Sequence, residues 1–145
     1  MHGRLQILLL VLALAVAAAA FDTSAAAGAD PGTRVLYVIA HTGLQVSAND
    51  VQDIYLGEKE LATGIKLEPM DNADAQPEFL AIVLKIDAKR YNALWTKKSF
   101  RDALNPPAIR GGDLDVLQAV KRTPGGIGYI SSPPVGVTIV AKYPL

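Results

Sequence analysis

One run of apolar residues limits the folds open to this chain more than any other feature. Residues 35–39 read Val-Leu-Tyr-Val-Ile, a continuous apolar stretch rich in β-branched and aromatic side chains. Successive side chains of a strand point to opposite faces of a sheet, so a strand without polar positions must be covered on both faces. The run therefore predicts a buried strand of an α/β sheet over residues 34–41, before the break at Thr42-Gly43.

Helical and strand patterns alternate along the rest of the chain. Caps and 3.6-residue periodicity predict helices that begin near Ser47, Pro77, Asp87 and Asp113. Strands are predicted over residues 65–70, 126–131 and 135–139, with a polar loop over 71–76. Pro69 is expected at a sheet edge, because proline cannot donate a ladder hydrogen bond. The order predicts one α/β domain, a small mixed sheet packed by helices.

Side chains at core spacing and a cluster of glycines complete the structural prediction. We expect Leu114 on the buried face of the last helix. The glycines at 125, 126 and 128 lead into a strand and not into a helix, so they predict a tight turn and close packing and not a phosphate loop. Four aromatic residues are expected in the core: Tyr55, Tyr91, Trp95 and Phe100.

The first 27 residues have the order of a cleavable signal peptide. A short basic start is followed by an uncharged apolar run over residues 5–20 and by small residues that end at Ala20 and Ala27. The uncharged run is shorter than the ~20 residues that a membrane-spanning helix needs, although an uncleaved anchor is the alternative. We therefore expect a signal peptide over 1–27, one domain over 28–145, and a periplasmic protein that meets the membrane only during export.

Composition excludes several classes of function. Lys plus Arg and Asp plus Glu are both 14, so the formal net charge is 0, which argues against nucleic acid as a partner. The chain has no cysteine, which excludes disulfides, thiolate metal sites and cysteine nucleophiles. Removal of the signal peptide leaves His41 as the single histidine, so a site built from several histidines is not available. No metal or cofactor is predicted.

Four stretches in a fixed order carry a resemblance to a known family. They are VSANDVQDIYLG (46–57), GIKLEP (64–69), Trp95 with Phe100 and Pro106-Pro107, and TPGGIGYI (123–130). Together they resemble periplasmic solute-binding proteins of the phosphate ABC transporter type. The resemblance implies a type II periplasmic-binding-protein-like domain that serves as the substrate-binding protein of a transport system. Full-length members clamp their ligand between two lobes, whereas this chain has room for a single lobe.

The resemblance also identifies where the anion-binding stretch of the family falls in this chain. In the family this stretch precedes the helix that corresponds to the predicted helix around Phe79 here. It carries an Arg with a Ser-Gly-Thr group. Residues 70–76 here read Met-Asp-Asn-Ala-Asp-Ala-Gln, so carboxylates stand where the family has anion donors. Asp71 and Asp74 are ionised at neutral pH if their pKa values are near the ordinary value of about 4. We therefore expect no tight phosphate binding.

Two groups of residues are the candidates for ligand binding. His41 and Thr42 follow the first strand, at the kind of strand end where open α/β sheets bind ligands. The alternative for His41 is an ordinary histidine of a surface loop. Asn72, Asp74 and Gln76 precede a helix, whose free N–H groups attract anions, and the alternative for Asp74 is a helix cap.

The residues do not combine into a recognisable catalytic site. Asp113 and Asp115 stand too close along one helix to face each other as an acid and a base, and Ser131-Ser132 has no evident base. We expect a non-enzymatic, solute-binding-like protein, whose candidate partners are a small anion such as phosphate, an ABC transporter and a second copy of the chain. The main alternative is a structural or interaction protein that uses the lobe surface to bind a protein partner or itself. A hydrolase built on His41 is a weaker alternative.

Overall fold

The computed structural model describes residues 32–145, and the predicted signal peptide lies outside the described residues. Eleven helices and strands are numbered here in chain order. They are β1 (Val35–Ala40), α1 (Val51–Tyr55), β2 (Leu61–Ala62), β3 (Ile65–Lys66), β4 (Glu68–Asn72), α2 (Gln76–Phe79), α3 (Ala88–Asp102), β5 (Ala108–Arg110), α4 (Asp113–Arg122), β6 (Gly126–Ile130) and β7 (Thr138–Pro144). A 3-10 turn (Ala48–Asp50) precedes α1, and a π-helical turn (Leu80–Leu84) extends α2.

Five of the strands form one mixed sheet in the order β5-β4-β6-β1-β7. Strand β4 runs parallel to both of its neighbours, whereas β1 is antiparallel to both β6 and β7. Strands β2 and β3 form a separate two-stranded hairpin. The predicted fold class, an α/β domain with a small mixed sheet packed by helices, is confirmed in this form.

The sheet is covered on both faces, as the apolar run of β1 predicts. Leu36 and Val38 point to the face that carries Tyr55 of α1, Phe79 of α2 and Trp95 of α3. On the opposite face, Ile39 packs with Met70 and with the buried side of α4, namely Val116, Ala119 and Val120. The strand therefore lies between two layers of helix.

The start and the end of α1 agree with the sequence prediction. Ser47 and Asp50 form a capping box in which the Ser47 N–H donates to Asp50 Oδ2 (2.9 Å). That bond, together with a hydrogen bond from Lys59 Nζ (2.9 Å), lowers the pKa of Asp50 to about 2. The helix stops before Gly57, whose φ of +73° is the left-handed conformation that glycine adopts without strain.

The predicted loop over residues 71–76 is wrong at its beginning, and the edge position of Pro69 is also wrong. Strand β4 continues through Asn72 and lies inside the sheet, between β5 and β6. The Glu68 N–H points towards β6, where it donates to the Gly125 carbonyl at 2.8 Å. The backbone nitrogen of the next residue, Pro69, therefore points away from β6, towards the β5 side of the strand. On that side β5 begins to pair only at Met70, so no ladder bond is lost.

Two apolar side chains expected in the core are exposed instead. Phe100 is 89% exposed, because five residues after the buried Trp95 correspond to about 140° of rotation around α3. Leu114 is 68% exposed, since the buried face of α4 begins two residues later, at Val116. The last strand also begins later than predicted, at Thr138, which leaves Val135 exposed.

The glycines that lead into β6 are used for packing, as predicted. A Cβ atom on Gly128 would lie 2.5 Å from Val116 Cγ1, so α4 could not approach β6 closely if residue 128 had a side chain. A Cβ atom on Gly125 would collide with the backbone carbonyl oxygen of Lys66. Close packing of helix and strand therefore explains these positions without a ligand.

Replacement of Trp95 by alanine tests how far the core depends on α3. Trp95 is buried and its indole N–H donates to the Tyr55 carbonyl (3.2 Å). We expect Trp95→Ala to lower the free energy of unfolding by ~3–5 kcal/mol, the range for removing a large buried aromatic side chain. Phe100→Ala on the same helix is the control and should change it by less than about 0.5 kcal/mol. Urea unfolding measures both, and similar losses would contradict the assignment of the two faces.

Candidate functional site

Strand β4 ends with two polar residues on opposite faces of the sheet. Asp71 is 2% exposed and Asn72 is fully buried, although neither residue type is common in a protein interior. The strand pleat directs consecutive side chains to opposite sides, so Asp71 faces the layer of α2 and α3 whereas Asn72 faces the layer of α4. A buried polar group needs hydrogen-bond partners, and Asp71 and Asn72 each bond to different residues.

The carboxylate of Asp71 accepts hydrogen bonds from two tyrosines. The hydroxyl of Tyr91 in α3 donates to Oδ2 at 2.8 Å, and the hydroxyl of Tyr129 in β6 donates to Oδ1 at 2.9 Å. The ring of Tyr129 is held in turn against Phe79, with the two centroids 3.9 Å apart and the planes nearly parallel. Side chains from three elements therefore position this carboxylate.

Burial raises the pKa of Asp71, even though the hydrogen bonds from Tyr91, Tyr129 and Gln76 act to lower it. Burial and the nearby Asp71 charge also raise the pKa values of both tyrosines, so they remain hydroxyl donors at neutral pH. Within residues 32–145, none of the ion pairs involves Asp71. The carboxylate is therefore buried without a cationic partner, which is costly when it is ionised.

Asp71 lies at the floor of a surface groove between α3 and β5. The groove has a volume of about 470 Å³, within the range of small-molecule sites. Pro106 and Pro107 lie on its β5 side. Its other principal lining residues are polar at the floor and aromatic or aliphatic along the walls: Gln76, Tyr91, Trp95, Phe100 and Ile109.

On the opposite face, Asn72 belongs to a second polar cluster around Asp113. The carboxylate of Asp113, at the start of α4, accepts hydrogen bonds from Asn72 Nδ2 (2.8 Å) and Ser132 Oγ (2.7 Å), and from both the N–H and the hydroxyl of Ser131. Burial acts to raise the pKa of Asp113, but these hydrogen bonds outweigh it and lower the pKa. Asp113 therefore ties the ends of β4 and β6 to the first turn of α4.

The structure brings only three of the five candidate binding residues together. Asn72, Asp74 and Gln76 lie around the end of β4, where the Asp74 N–H donates to Asn72 Oδ1 (3.0 Å). The cap proposed for Asp74 is wrong, since Ala75 occupies the N-cap of α2 and no side chain caps it. Gln76 begins α2 and lines the same groove as Asp71.

His41 and Thr42 lie at the opposite end of the sheet. The His41 N–H donates to the Gly126 carbonyl at the start of β6, whereas Asn72 Nδ2 reaches the Tyr129 carbonyl near its end. Three residues of strand between them correspond to roughly 10 Å. His41 Nδ1 accepts the N–H of Gly43 at 3.2 Å, which fits the alternative of a loop histidine.

Sequence reasoning missed Tyr91, Tyr129 and Asp113 as members of polar clusters. Their partners lie between 18 and 58 positions away along the chain, so no local pattern connects them. Tyr129 alone could have indicated a polar cluster from the sequence, since a tyrosine in a strand buried on both faces needs a hydrogen-bond partner for its hydroxyl. Nothing in the sequence indicates which residue that partner is.

The groove beside β4 and two absences among the described residues bear on what this part of the chain can do. Within residues 32–145, no group of three or more His, Asp or Glu side chains is arranged to hold a metal ion. In the same range, no helix is both long and apolar enough to cross a membrane. A carboxylate, an amide and aromatic rings around one groove can recognise a ligand through charge, hydrogen bonds and apolar contact.

Comparison with known proteins adds no family assignment. No family model matches the chain, and no curated protein matches it either. The resemblance to phosphate-type solute-binding proteins therefore stays a prediction.

The stability of the fold should depend on pH through Asp71. Because the folded state raises the pKa of this carboxyl group, its stabilising contribution is complete below the ordinary pKa of about 4 and is lost as the pH rises through the raised folded value. Asp71→Asn removes this loss, so the variant should gain stability relative to the unaltered protein as the pH rises. Urea unfolding across acidic to neutral pH measures the difference. The exposed Asp115→Asn is the control, and the same trend in both variants would contradict the prediction.

Proposed function

We propose that this chain is an exported, non-enzymatic solute-binding protein, built as a single periplasmic-binding-protein-like lobe and related to the substrate-binding components of phosphate ABC transporters. The observation that carries the binding role is the buried carboxylate of Asp71 at the floor of a groove beside the carboxyl end of β4. Ligands of open α/β sheets bind outside the carboxyl ends of parallel strands, and β4 runs parallel to both of its neighbours. The four sequence stretches described above support the family relationship.

The polar groups near this strand end favour binding over catalysis. The hydroxyls of Ser131 and Ser132 both donate to Asp113, which keeps a lowered pKa and is therefore a poor proton acceptor. His41, the base that a hydrolase would need, lies at the other end of the sheet from both serines. This separation argues against the hydrolase alternative.

Export is part of the proposal and rests on the pattern of residues 1–27. N-terminal sequencing of the protein recovered from the exported fraction tests it, and a start near Phe21 or Gly28 would support it. An intact Met1 in a membrane fraction would contradict it.

Phosphate is a poor ligand for the donors at this strand end. The groups that could hold a phosphate near the start of α4 are the Ser131 and Ser132 hydroxyls and the Asn72 amide, and all of them already donate to Asp113. The carboxylate of Asp113 therefore already accepts the hydrogen bonds that a bound phosphate would need. Asp74 is exposed beside it, so a phosphate would also meet uncompensated negative charge.

We expect phosphate to bind no more tightly than about 1 mM, which corresponds to only ~4 kcal/mol. Isothermal titration calorimetry of the exported protein measures the dissociation constant and the number of ions per chain. Asp113→Asn keeps the shape of the side chain and removes its charge, so this variant should bind phosphate more tightly than the unaltered protein. A micromolar constant for the unaltered protein would contradict the expectation.

A second candidate function is protein interaction, and the exposed apolar side chains of residues 100–114 favour it. Phe100, Ile109 and Leu114 are 89%, 69% and 68% exposed within a segment of fifteen positions. The segment includes β5, an outer strand of the sheet whose free edge can pair with another strand. Phe100 and Ile109 line the same groove. Exposed apolar side chains beside a free edge are typical of a surface that binds a protein partner or a second copy.

Self-association tests the interaction role. If a second copy covers this segment, sedimentation velocity should show a concentration-dependent dimer that Ile109→Asp abolishes, since a charge would be buried without a partner. Leu61→Asp is the matched control, because Leu61 is also exposed but lies in β2. A monomer at every concentration would contradict self-association, and equal effects of both variants would contradict its location.

A further inference from the structure

The groove between α3 and β5 carries charge of one sign only. Of the described residues that line it, Asp71 is the only charged one, and it lies at the floor. By contrast, the groove lined by Lys85, Asp87 and Arg90 carries charges of both signs. A ligand that enters the α3–β5 groove therefore meets a single negative charge and no positive one.

The carboxylate of Asp71 has acceptor capacity left for a ligand. An ionised carboxylate offers about four acceptor sites, and the two tyrosine hydroxyls occupy two of them. The tyrosines can only orient and stabilise the charge, since neither is a cation. A cation from outside would relieve the cost of burying this charge, because a buried ion pair costs far less than a buried unpaired ion.

The walls of the groove suit the rest of such a ligand. Tyr91, Trp95 and Phe100 bring three aromatic side chains to one opening, and Ile109 adds an aliphatic surface across from them. Aromatic faces attract ammonium groups and also pack against hydrocarbon. Phe100 is exposed in the described structure, although an apolar ring of this size is normally covered.

The geometry points to a small organic cation as the occupant of this groove, with its ammonium group paired to Asp71 and its hydrocarbon part enclosed by Tyr91, Trp95 and Phe100. This inference rests on the proposed solute-binding function and names the chemical class of the solute. An anion is excluded by the same carboxylate. A neutral molecule of equal size would leave the buried charge without compensation.

Ligand binding can be measured through Trp95, because it is the single tryptophan of the chain and lines the groove. Tryptophan fluorescence and the indole N–H signal in a ¹H–¹⁵N spectrum both report on it without any label. Three probes of similar size and different charge are titrated: n-butylamine hydrochloride, n-butanol and sodium butyrate. Tetramethylammonium chloride is the fourth probe and tests the aromatic walls. We expect saturable changes with the two cations and none with butanol or butyrate.

Two variants locate the binding in the groove. Asp71→Asn removes the charge at nearly constant shape and should weaken n-butylamine binding by at least about tenfold, since a charge-assisted contact is lost. Phe100→Ala removes an exposed ring and should leave the fold unchanged, while it weakens binding of tetramethylammonium by about two- to fivefold. Phe100→Ala keeps the test valid even if Asp71→Asn does not fold. Asp115→Asn, an exposed carboxylate on α4, is the control and should bind as the unaltered protein does.

Each other outcome overturns the inference in a distinguishable way. Binding of butanol or butyrate without binding of the cations contradicts the ligand class and leaves the solute-binding function standing. If Asp71→Asn does not weaken n-butylamine binding, or Phe100→Ala does not weaken tetramethylammonium binding, the site lies elsewhere. If none of the probes and no phosphate binds, the inference and the proposed function both fail. If cations do not bind and Asp71→Asn abolishes self-association, the partner of Asp71 belongs to a second copy and not to a free solute.

Discussion

The hydrogen bonds of two tyrosine hydroxyls to the buried carboxylate of Asp71 connect the helix and the strands that border the groove beside β5. Tyr91 lies in α3, Tyr129 lies in β6 and Asp71 ends β4, so one acidic side chain connects a helix to two strands. A buried carboxylate without such donors would be too costly to keep. The position of α3, and with it the groove beside β5, therefore depends on this cluster.

A second carboxylate has the same role on the opposite face of the sheet. Asp113 gathers Asn72, Ser131 and Ser132, and so connects the ends of β4 and β6 to the start of α4. The two carboxylates differ in their surroundings. Asp113 has several donors and a lowered pKa, whereas Asp71 is desolvated and has a raised pKa. Asp113 is therefore satisfied within the protein, and Asp71 is the group that gains from an external partner.

The shortness of β5 explains why a groove lies beside it. Strand β5 has only three residues and pairs with β4 only from Met70 onwards. The segment that leads into it contains Pro106 and Pro107, which cannot donate ladder hydrogen bonds. The end of α3 and this short strand therefore meet across a groove and not across a packed interface. Phe100 and Ile109 remain exposed at its rim, available to a solute or to a partner.

Local chemistry accounts for most of the elements of the fold. The apolar run of β1 required cover on both faces. Ser47 with Asp50 capped the 3-10 turn that leads into α1, and Gly57 followed the end of α1. Asp87 capped α3 by accepting the Arg90 N–H. Each of these signals lies within a few residues of the structure it specifies, and so it can be read without a fold. The same local reasoning placed Asn72, Asp74 and Gln76 in a loop before a helix, although Asn72 ends β4 and Gln76 begins α2.

Only the tertiary structure decided the contacts between residues that are distant along the chain. Periodicity, caps and glycine positions are local properties. The sequence alone therefore determined an α/β domain in which β1 is covered on both faces of the sheet. It did not determine that Asp71 is buried, that Tyr91 and Tyr129 reach it, or that His41 lies at the other end of the sheet. Those facts depend on strand order and on the rotation of each helix about its axis. Phe100 illustrates the difference, since about 140° of rotation from Trp95 decides between core and surface.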